Sequence, residues 1–420
     1  MIRGKTHALA VFAVGAVLMA AAPGAAVSGP PACGGLPADI VGTDGDDVLV
    51  GTAGDDVIHG LRGDDTVDGG GGNDVVCGGA GRDELTGGPG ADVLIGGPGI
   101  DYADYRTAPA GVTVDLAAGF AAGGHGDDTL TGIEGVFGSR FPDRLSGDRR
   151  PNRLAGFGGR DTLIGKGGDD VLAGQAGPDR LIGGPGDDAL RGGPGRDMVI
   201  YSTAPGAVDV FLSATQGYPA GTVLGAAGSD RPDGIENVKG SRHDDTLIGA
   251  AGPNRLIGLG GDDLLAGRDG SDVLLGGDGD DLLCGGNGSD DLRGQAGTGD
   301  WAGYGGAPGL WPAWFCEETL SRSIPPLTVD LTIGQATGML PEPDDVWWED
   351  ALSGIENVSG SAVKDSLIGD DRPNELHGQE GSDWLDGRGG DDLLVGGAGT
   401  DIGDGGNGDD VCLTEWTNRC

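Results

Sequence analysis

Residues 42–104 read GTDGDDVLV, GTAGDDVIH, GLRGDDTVD, GGGGNDVVC, GGAGRDELT, GGPGADVLI and GGPGIDYAD. Set in nines, the stretch has Gly at positions 1 and 4 of every unit and Asp at position 6. Position 8 is always small or aliphatic: Leu49, Ile58, Val67, Val76, Leu85, Leu94 and Ala103. With 92 Gly and 23 Pro in 420 residues, composition alone would suggest a low-complexity chain. The period decides against that, because one aliphatic residue at a fixed phase can be buried, whereas aperiodic Gly/Pro-rich sequence cannot bury it. Collagen is excluded too, since Gly does not recur every third residue.

Glycine at positions 1 and 4 permits positive φ, so the first six residues of a unit are expected to form a tight turn. Positions 7–9 then make a short strand whose middle residue points into a core and whose neighbours point outward. Two units give one coil of eighteen residues, and successive coils stack as parallel strands about 4.8 Å apart. The predicted fold is all-β: a parallel β-roll, or β-solenoid.

The register returns three times, over 138–200, 240–293 and 360–413, with units such as GKGGDDVLA, GLGGDDLLA and GRGGDDLLV. The spacers repeat as well. IEGVFGSR begins at Ile133, IENVKGSR at Ile235 and IENVSGS at Ile355. Each follows an alternating apolar segment with strand patterning, VTVDL at 112–116, VDVFL at 208–212 and LTVDL at 327–331. The organisation is therefore a first array (42–104) followed by three spacer-and-array modules. These cover 105–200, 201–293 and 294–413, the last carrying a Trp-rich insert, and 414–420 forms a C-terminal cap. Whether the arrays form one rod or several stays open at this point.

The chain carries 67 acidic against 26 basic residues and a net charge of −41. Such a chain repels nucleic acid and anionic membrane surfaces. A solvated acidic face would not place one Asp at the same phase of every repeat, so the pattern points to cations. Turns two units apart lie over each other, and carboxylates stacked at that distance repel unless a cation lies between them. A hard divalent ion with many oxygen ligands fits, calcium rather than magnesium, which demands stricter geometry. The candidate metal ligands are the position-6 aspartates of the well-formed units. They are Asp47, Asp56, Asp65, Asp74, Asp83, Asp92 and Asp101 in the first array, and Asp161, Asp170, Asp179, Asp188 and Asp197 in the second. The third array supplies Asp263, Asp272, Asp281 and Asp290, and the fourth Asp383, Asp392, Asp401 and Asp410.

These units resemble the RTX, or haemolysin-type calcium-binding, nonapeptide family, whose pattern is GGxGxDxUx. The resemblance covers all four arrays and implies a parallel β-roll with Ca²⁺ between stacked turns. In arrays two to four the first two units depart from the pattern. Phe141, Arg150, His243, Val363 and Arg372 replace Gly at position 4, and Asn152, Asn254 and Asn374 replace Asp at position 6. These opening units are expected to hold weak sites or none, and the first array, lacking them, to be the best-formed block. Pairing each unit with the one two ahead gives roughly 12–18 ions. With Arg3 and Lys5 removed alongside a signal peptide, charge would run from about −43 without metal to roughly −19 to −7 with it.

Residues 1–28 read as a secretory signal, with Arg3 and Lys5 ahead of the apolar run 8–22. That run is short for a membrane span and no other candidate follows, so the mature chain is expected outside the cell. Six cysteines then favour disulfides; local pairing gives Cys33–Cys77, Cys284–Cys316 and Cys412–Cys420. Catalytic signals are missing: neither HExxH nor GxSxG occurs, and His59 and His377 sit at outward position 9. No enzyme is expected. No LPxTG-type sorting signal ends the chain, and an ice-binding face is disfavoured by the mixed residues at position 3. The anomaly is aromatic: Trp301, Trp311, Trp314, Trp347 and Trp348 fall in the third spacer, near Tyr304 and Phe315. Packing over a solenoid flank is one reading; a platform for a protein or carbohydrate partner is the other.

Overall fold

A computed structural model describes residues 31–215, 218–305, 316, 326–339 and 347–420. The expected signal peptide, Trp311, Trp314 and Phe315 lie outside them. The fold is an all-β parallel solenoid of about 19 turns. Position 7–9 triplets form the strands and each pairs in parallel with the strand eighteen residues on, as Leu154 with Leu172 and Leu163 with Leu181. Consecutive units therefore alternate between two faces, and their position-8 side chains meet inside. Leu145, Leu154, Leu163, Leu172, Leu181, Leu190 and Val199 are all buried in one apolar column that runs the length of the chain.

The stack is continuous through the spacers. In the first, Val112–Asp115, Phe120–Gly123 and Gly126–Thr131 form an antiparallel meander. Its outer strands pair in parallel with the array before it, through Val93–Ile95, and the array after it, through Arg144–Ser146. On the opposite face, Tyr102–Asp104 pairs directly with Gly135–Phe137, the strand that the IEGVF motif supplies. The second spacer repeats this with Val208–Phe211, Thr222–Gly225 and Arg231–Asp233. The third uses Leu327–Asp330, Gln335–Met339 and Trp347–Ser353. Alternating apolar residues explain the docking: Val112, Val114, Val208, Val210, Leu327 and Val329 continue the buried column.

The turns depart from expectation in one respect. Most position-4 glycines take positive φ, for example Gly63 (115°) and Gly159 (124°), though Gly45, Gly54, Gly99 and Gly195 do not. Position-1 glycines do not. The second positive φ falls at position 2, where Leu61, Phe157, Lys166, Gln175, Leu259, Arg268, Gln295, Gln379 and Arg388 adopt it despite their side chains. Position 1 is Gly for space: a Cβ on Gly174 would lie 2.3 Å from Asp179 Oδ2, and one on Gly60 2.4 Å from the Gly78 carbonyl oxygen.

The six cysteines lie in three close pairs, Cys33 with Cys77, Cys284 with Cys316 and Cys412 with Cys420, at Cα separations of 5.7, 5.6 and 5.9 Å.

Two neighbouring substitutions separate the space and φ requirements. Gly174→Ala forces a Cβ against Asp179 and should destabilise the folded chain by about 1–3 kcal/mol. Gln175→Gly releases a strained left-handed residue and should be neutral to stabilising by about 0.5–1 kcal/mol. Denaturant unfolding in saturating calcium reads both, and equal losses at the two positions would refute the distinction.

Candidate metal centre

The position-6 aspartates are tied into ladders by their own backbone. The N–H of each donates to Oδ1 of the position-6 residue one coil on: Asp65 to Asp83 (2.9 Å), Asp74 to Asp92 (2.8 Å), Asp161 to Asp179 (2.8 Å), Asp263 to Asp281 (2.9 Å), Asp383 to Asp401 (2.9 Å). Two such ladders run along the two turn edges. One starts Asp47, Asp65, Asp83, Asp101 and the other Asp56, Asp74, Asp92.

This rung uses one carboxylate oxygen and strands the other. Oδ2 is buried without a hydrogen-bond partner in Asp65, Asp74, Asp83, Asp92 and Asp101; in Asp161, Asp170, Asp179, Asp188 and Asp197; in Asp263, Asp272, Asp281 and Asp290; and in Asp383, Asp392, Asp401 and Asp410. A buried acceptor with nothing to accept costs about 1–3 kcal/mol and more when charged, so an array of them calls for a cation. Carbonyl oxygens complete the surroundings. A Cβ on Gly186 would lie 2.1 Å from the Gly168 carbonyl oxygen, and one on Gly184 2.3 Å from that of Lys166. Among the described residues no three His, Cys, Asp or Glu side chains cluster as a metal site. The donor set is therefore paired carboxylates plus main-chain oxygens, all hard ligands of the kind calcium takes.

Asp47 and Asp56 differ from the rest of the predicted set. Thr43 donates its hydroxyl to Asp47 Oδ2 at 2.9 Å, and Thr52 donates to Asp56 Oδ2 at 2.8 Å. Ser139, Ser241 and Ser361 close Asp143, Asp245 and Asp365 with two donors, the hydroxyl on Oδ1 at 2.8, 2.7 and 2.9 Å and the backbone N–H on Oδ2. The first array thus has opening units of its own, marked by a hydroxyl at position 2 rather than by loss of Gly at position 4. The expectation that 42–104 alone lacks them does not hold.

Two open carboxylates escaped sequence reasoning. Asp230, in the second spacer, accepts from the Asp188 N–H at 3.0 Å, and Asp300 accepts from the Asp281 N–H at 2.9 Å; the Oδ2 of Asp300 is stranded, and that of Asp230 lies beside the buried Tyr201 hydroxyl without a hydrogen bond to it. Asp300 was visible as the one-residue slip after Gly299, which the turn absorbs so that Asp300 regains the ladder. A second, exposed ladder at position 5 was also missed: the Asp64 N–H donates to Asp46 Oδ1 (2.9 Å) and that of Asp280 to Asp262 Oδ1 (3.0 Å).

Burial pushes the stranded carboxylates up, with neighbouring carboxylates adding to it. Asp263 rises to about 8, Asp161, Asp170, Asp281 and Asp383 to about 7, and Asp65, Asp92, Asp188 and Asp197 to about 6. Asp290 reaches about 8, from burial and then the adjacent Asp350.

Trp301, Tyr304 and Trp348 of the third spacer are engaged internally. Trp301 is buried with its ring edge-on to His377, and Trp348 stacks on Tyr304. His377 also pairs with Glu375 at 2.7 Å. Among the described residues no helix is long and apolar enough to cross a membrane.

A family model for the RTX calcium-binding nonapeptide repeat (4 copies) matches residues 41–76, 78–103, 137–172, 164–199, 239–274, 257–292, 266–299 and 377–412. Together these segments take in just over half of the chain. No curated protein matches it.

The raised carboxylates set a pH dependence for the metal-free fold. Their folded pKa values lie above the usual 3.8, so the folded chain binds more protons than the unfolded one. The resulting stability is fully present below about pH 4 and is lost as pH rises through about 6 to 8. Calcium-depleted protein should therefore show more β structure by circular dichroism at pH 5 than at pH 8. More β structure at pH 8 would contradict the assignment of buried, unpartnered carboxylates.

Proposed function

The chain belongs to the RTX calcium-binding nonapeptide repeat family, and on that premise we propose a secreted β-roll that folds on calcium outside the cell. Its role there is structural or interactive rather than catalytic. The observation that carries this reading is the row of buried carboxylate oxygens with no partner in the chain.

Successive ladder members that both carry a stranded oxygen define where ions would sit. On one edge these are Asp65–Asp83–Asp101, Asp170–Asp188–Asp230, Asp263–Asp281–Asp300 and Asp392–Asp410. On the other they are Asp74–Asp92, Asp161–Asp179–Asp197, Asp272–Asp290 and Asp383–Asp401. Each adjacent pair takes one ion, giving about 12, the lower bound of the sequence-based range. When bound, calcium supplies the positive charge that lets two stacked carboxylates ionise together in a buried turn. The chain's own part is to aim both oxygens by the N–H rungs and to bring main-chain oxygens close by keeping Gly at position 1.

Without ions, a chain at −41 repels itself and strands its carboxylates, so binding free energy becomes folding free energy. That coupling suits release from a low-calcium interior into a calcium-rich exterior. The close cysteine pairs suit an oxidising exterior, where they would form three disulfides. The alternative, an exoenzyme accessory with a ligand surface in the third spacer, is weaker because Trp301 and Trp348 pack inward.

Far-UV circular dichroism of the mature chain during a calcium titration tests the reading. The expected result is a largely disordered spectrum in chelator at pH 7.5 that converts to full β on adding calcium and not magnesium. Asp179→Asn, which weakens both pairs that share it, should shift the titration midpoint of its array to higher calcium by about tenfold or more. An unchanged β-rich spectrum in chelator would sink calcium-driven folding.

A further inference from the structure

The spacers interrupt both acidic ladders, and at each interruption the chain supplies its own donors. In the first spacer, Asp128 accepts the Asp92 N–H on Oδ1 (3.0 Å) and the Tyr105 hydroxyl on Oδ2 (2.9 Å). The next ladder segment opens at Asp143, which takes the Val112 N–H (2.8 Å) and the Ser139 hydroxyl. On the other edge the ladder ends at Glu134, which accepts the Asp101 N–H (3.1 Å) and pairs with Arg150 (3.3 Å). It reopens at Asn152, whose carbonyl oxygen accepts the Asp148 N–H (2.7 Å) and whose amide donates to the Glu134 carbonyl (3.3 Å).

The third spacer repeats every part. Tyr304 closes Asp350 (3.0 Å), the Leu327 N–H (3.1 Å) and Ser361 close Asp365, Arg372 pairs with Glu356, and Asn374 donates to the Glu356 carbonyl (2.7 Å). The second spacer is the incomplete copy. Ser241 and the Val208 N–H close Asp245, but Tyr201, the counterpart of Tyr105 and Tyr304, lies beside Asp230 in a looser contact that leaves its Oδ2 without a hydrogen bond. The place of Arg150 and Arg372 is taken by Gly252, and among the described residues no arginine pairs with Glu236.

We propose that the three spacers are metal-free joints in which hydroxyl, amide and guanidinium groups stand where the arrays require calcium. The joints divide the solenoid into four blocks that load and release calcium separately. This rests on the calcium reading above and adds to it. Within an array, losing one ion leaves carboxylates stranded on both sides, so neighbours fall together. At a joint no carboxylate depends on an ion, except at Asp230, so loss in one block stops there. The joints stay folded when the arrays open, and they hold the disulfide-linked chain in register for reloading. The second joint is the weakest of the three.

Hydrogen exchange read by mass spectrometry on the full mature chain, at stepped free calcium, tests this. At calcium levels where amides of 60–104, 156–199 and 258–293 exchange freely, the Val112 and Leu327 amides should keep at least about tenfold slower exchange. The Val208 amide should be the first of the three to lose protection. Ser139→Ala and the milder Tyr304→Phe should each remove protection from their own joint only, with calcium stoichiometry unchanged. If joint amides open together with the arrays, or all four arrays open in a single step, the proposal fails while calcium binding stands. If no array gains protection with calcium, the calcium reading fails and this proposal with it.

Discussion

The hydrogen bond from a position-6 Asp N–H to Oδ1 of the Asp one coil on is the constraint from which the rest follows. It fixes the rise between coils, points each carboxylate into the turn, and leaves Oδ2 buried beside main-chain oxygens. Position 1 must then be Gly, because any Cβ would enter the space that Oδ2 occupies. The apolar column at position 8 is one side chain wide per strand, so it cannot by itself offset a stranded charge in every coil. On the proposed calcium coupling, a solenoid built this way becomes stable when something outside the sequence meets the unused oxygen.

The spacers show what meeting it internally takes. The Tyr105 hydroxyl and the Ser139 N–H answer the Oδ2 of Asp128 and Asp143 that an array leaves open, the Val112 N–H from the meander strand takes the place of the ladder rung on Asp143 Oδ1, and Arg150 neutralises Glu134. The meander also explains why a spacer can have any length. Asp92 reaches Asp128 across 36 residues, Asp188 reaches Asp230 across 42, and Asp290 reaches Asp350 across 60. In each case the returning strand enters the same register. The ladder geometry is unchanged.

Period made the fold legible. Position 8 marked the core, position 6 the carboxylates with a stranded oxygen and the IExV repeats the spacers, because each recurs at fixed spacing. What stayed hidden depended on contacts between segments of variable separation. Tyr105 and Asp128, or Leu327 and Asp365, carry no fixed offset that one sequence reveals. The role of Thr43 and Thr52 was within reach, since both sit at position 2, where four of the other five units of the first array carry Gly, but only their bonds to Asp47 and Asp56 give that hydroxyl a meaning. The misplaced φ argument has the same origin. Gly reads identically whether it serves conformation, as at Gly63, or space, as at Gly174.

The distribution of Asn against Asp bears on why the fold is conditional at all. Asn152, Asn254 and Asn374 occupy ladder positions where the chain offers one donor and one acceptor, and an amide satisfies both without charge. A solenoid of such units would need no ion. The arrays instead keep Asp wherever no internal donor reaches the second oxygen, and Gly at position 2 or a side chain pointing away ensures that none does. Where a hydroxyl appears at position 2, the site closes. On the proposed calcium-driven folding, the metal requirement is written in the pairing of two positions, an acid at 6 and a position 2 whose N–H and side chain do not reach its second oxygen. That pairing separates a calcium-dependent coil from a self-sufficient one within the same backbone.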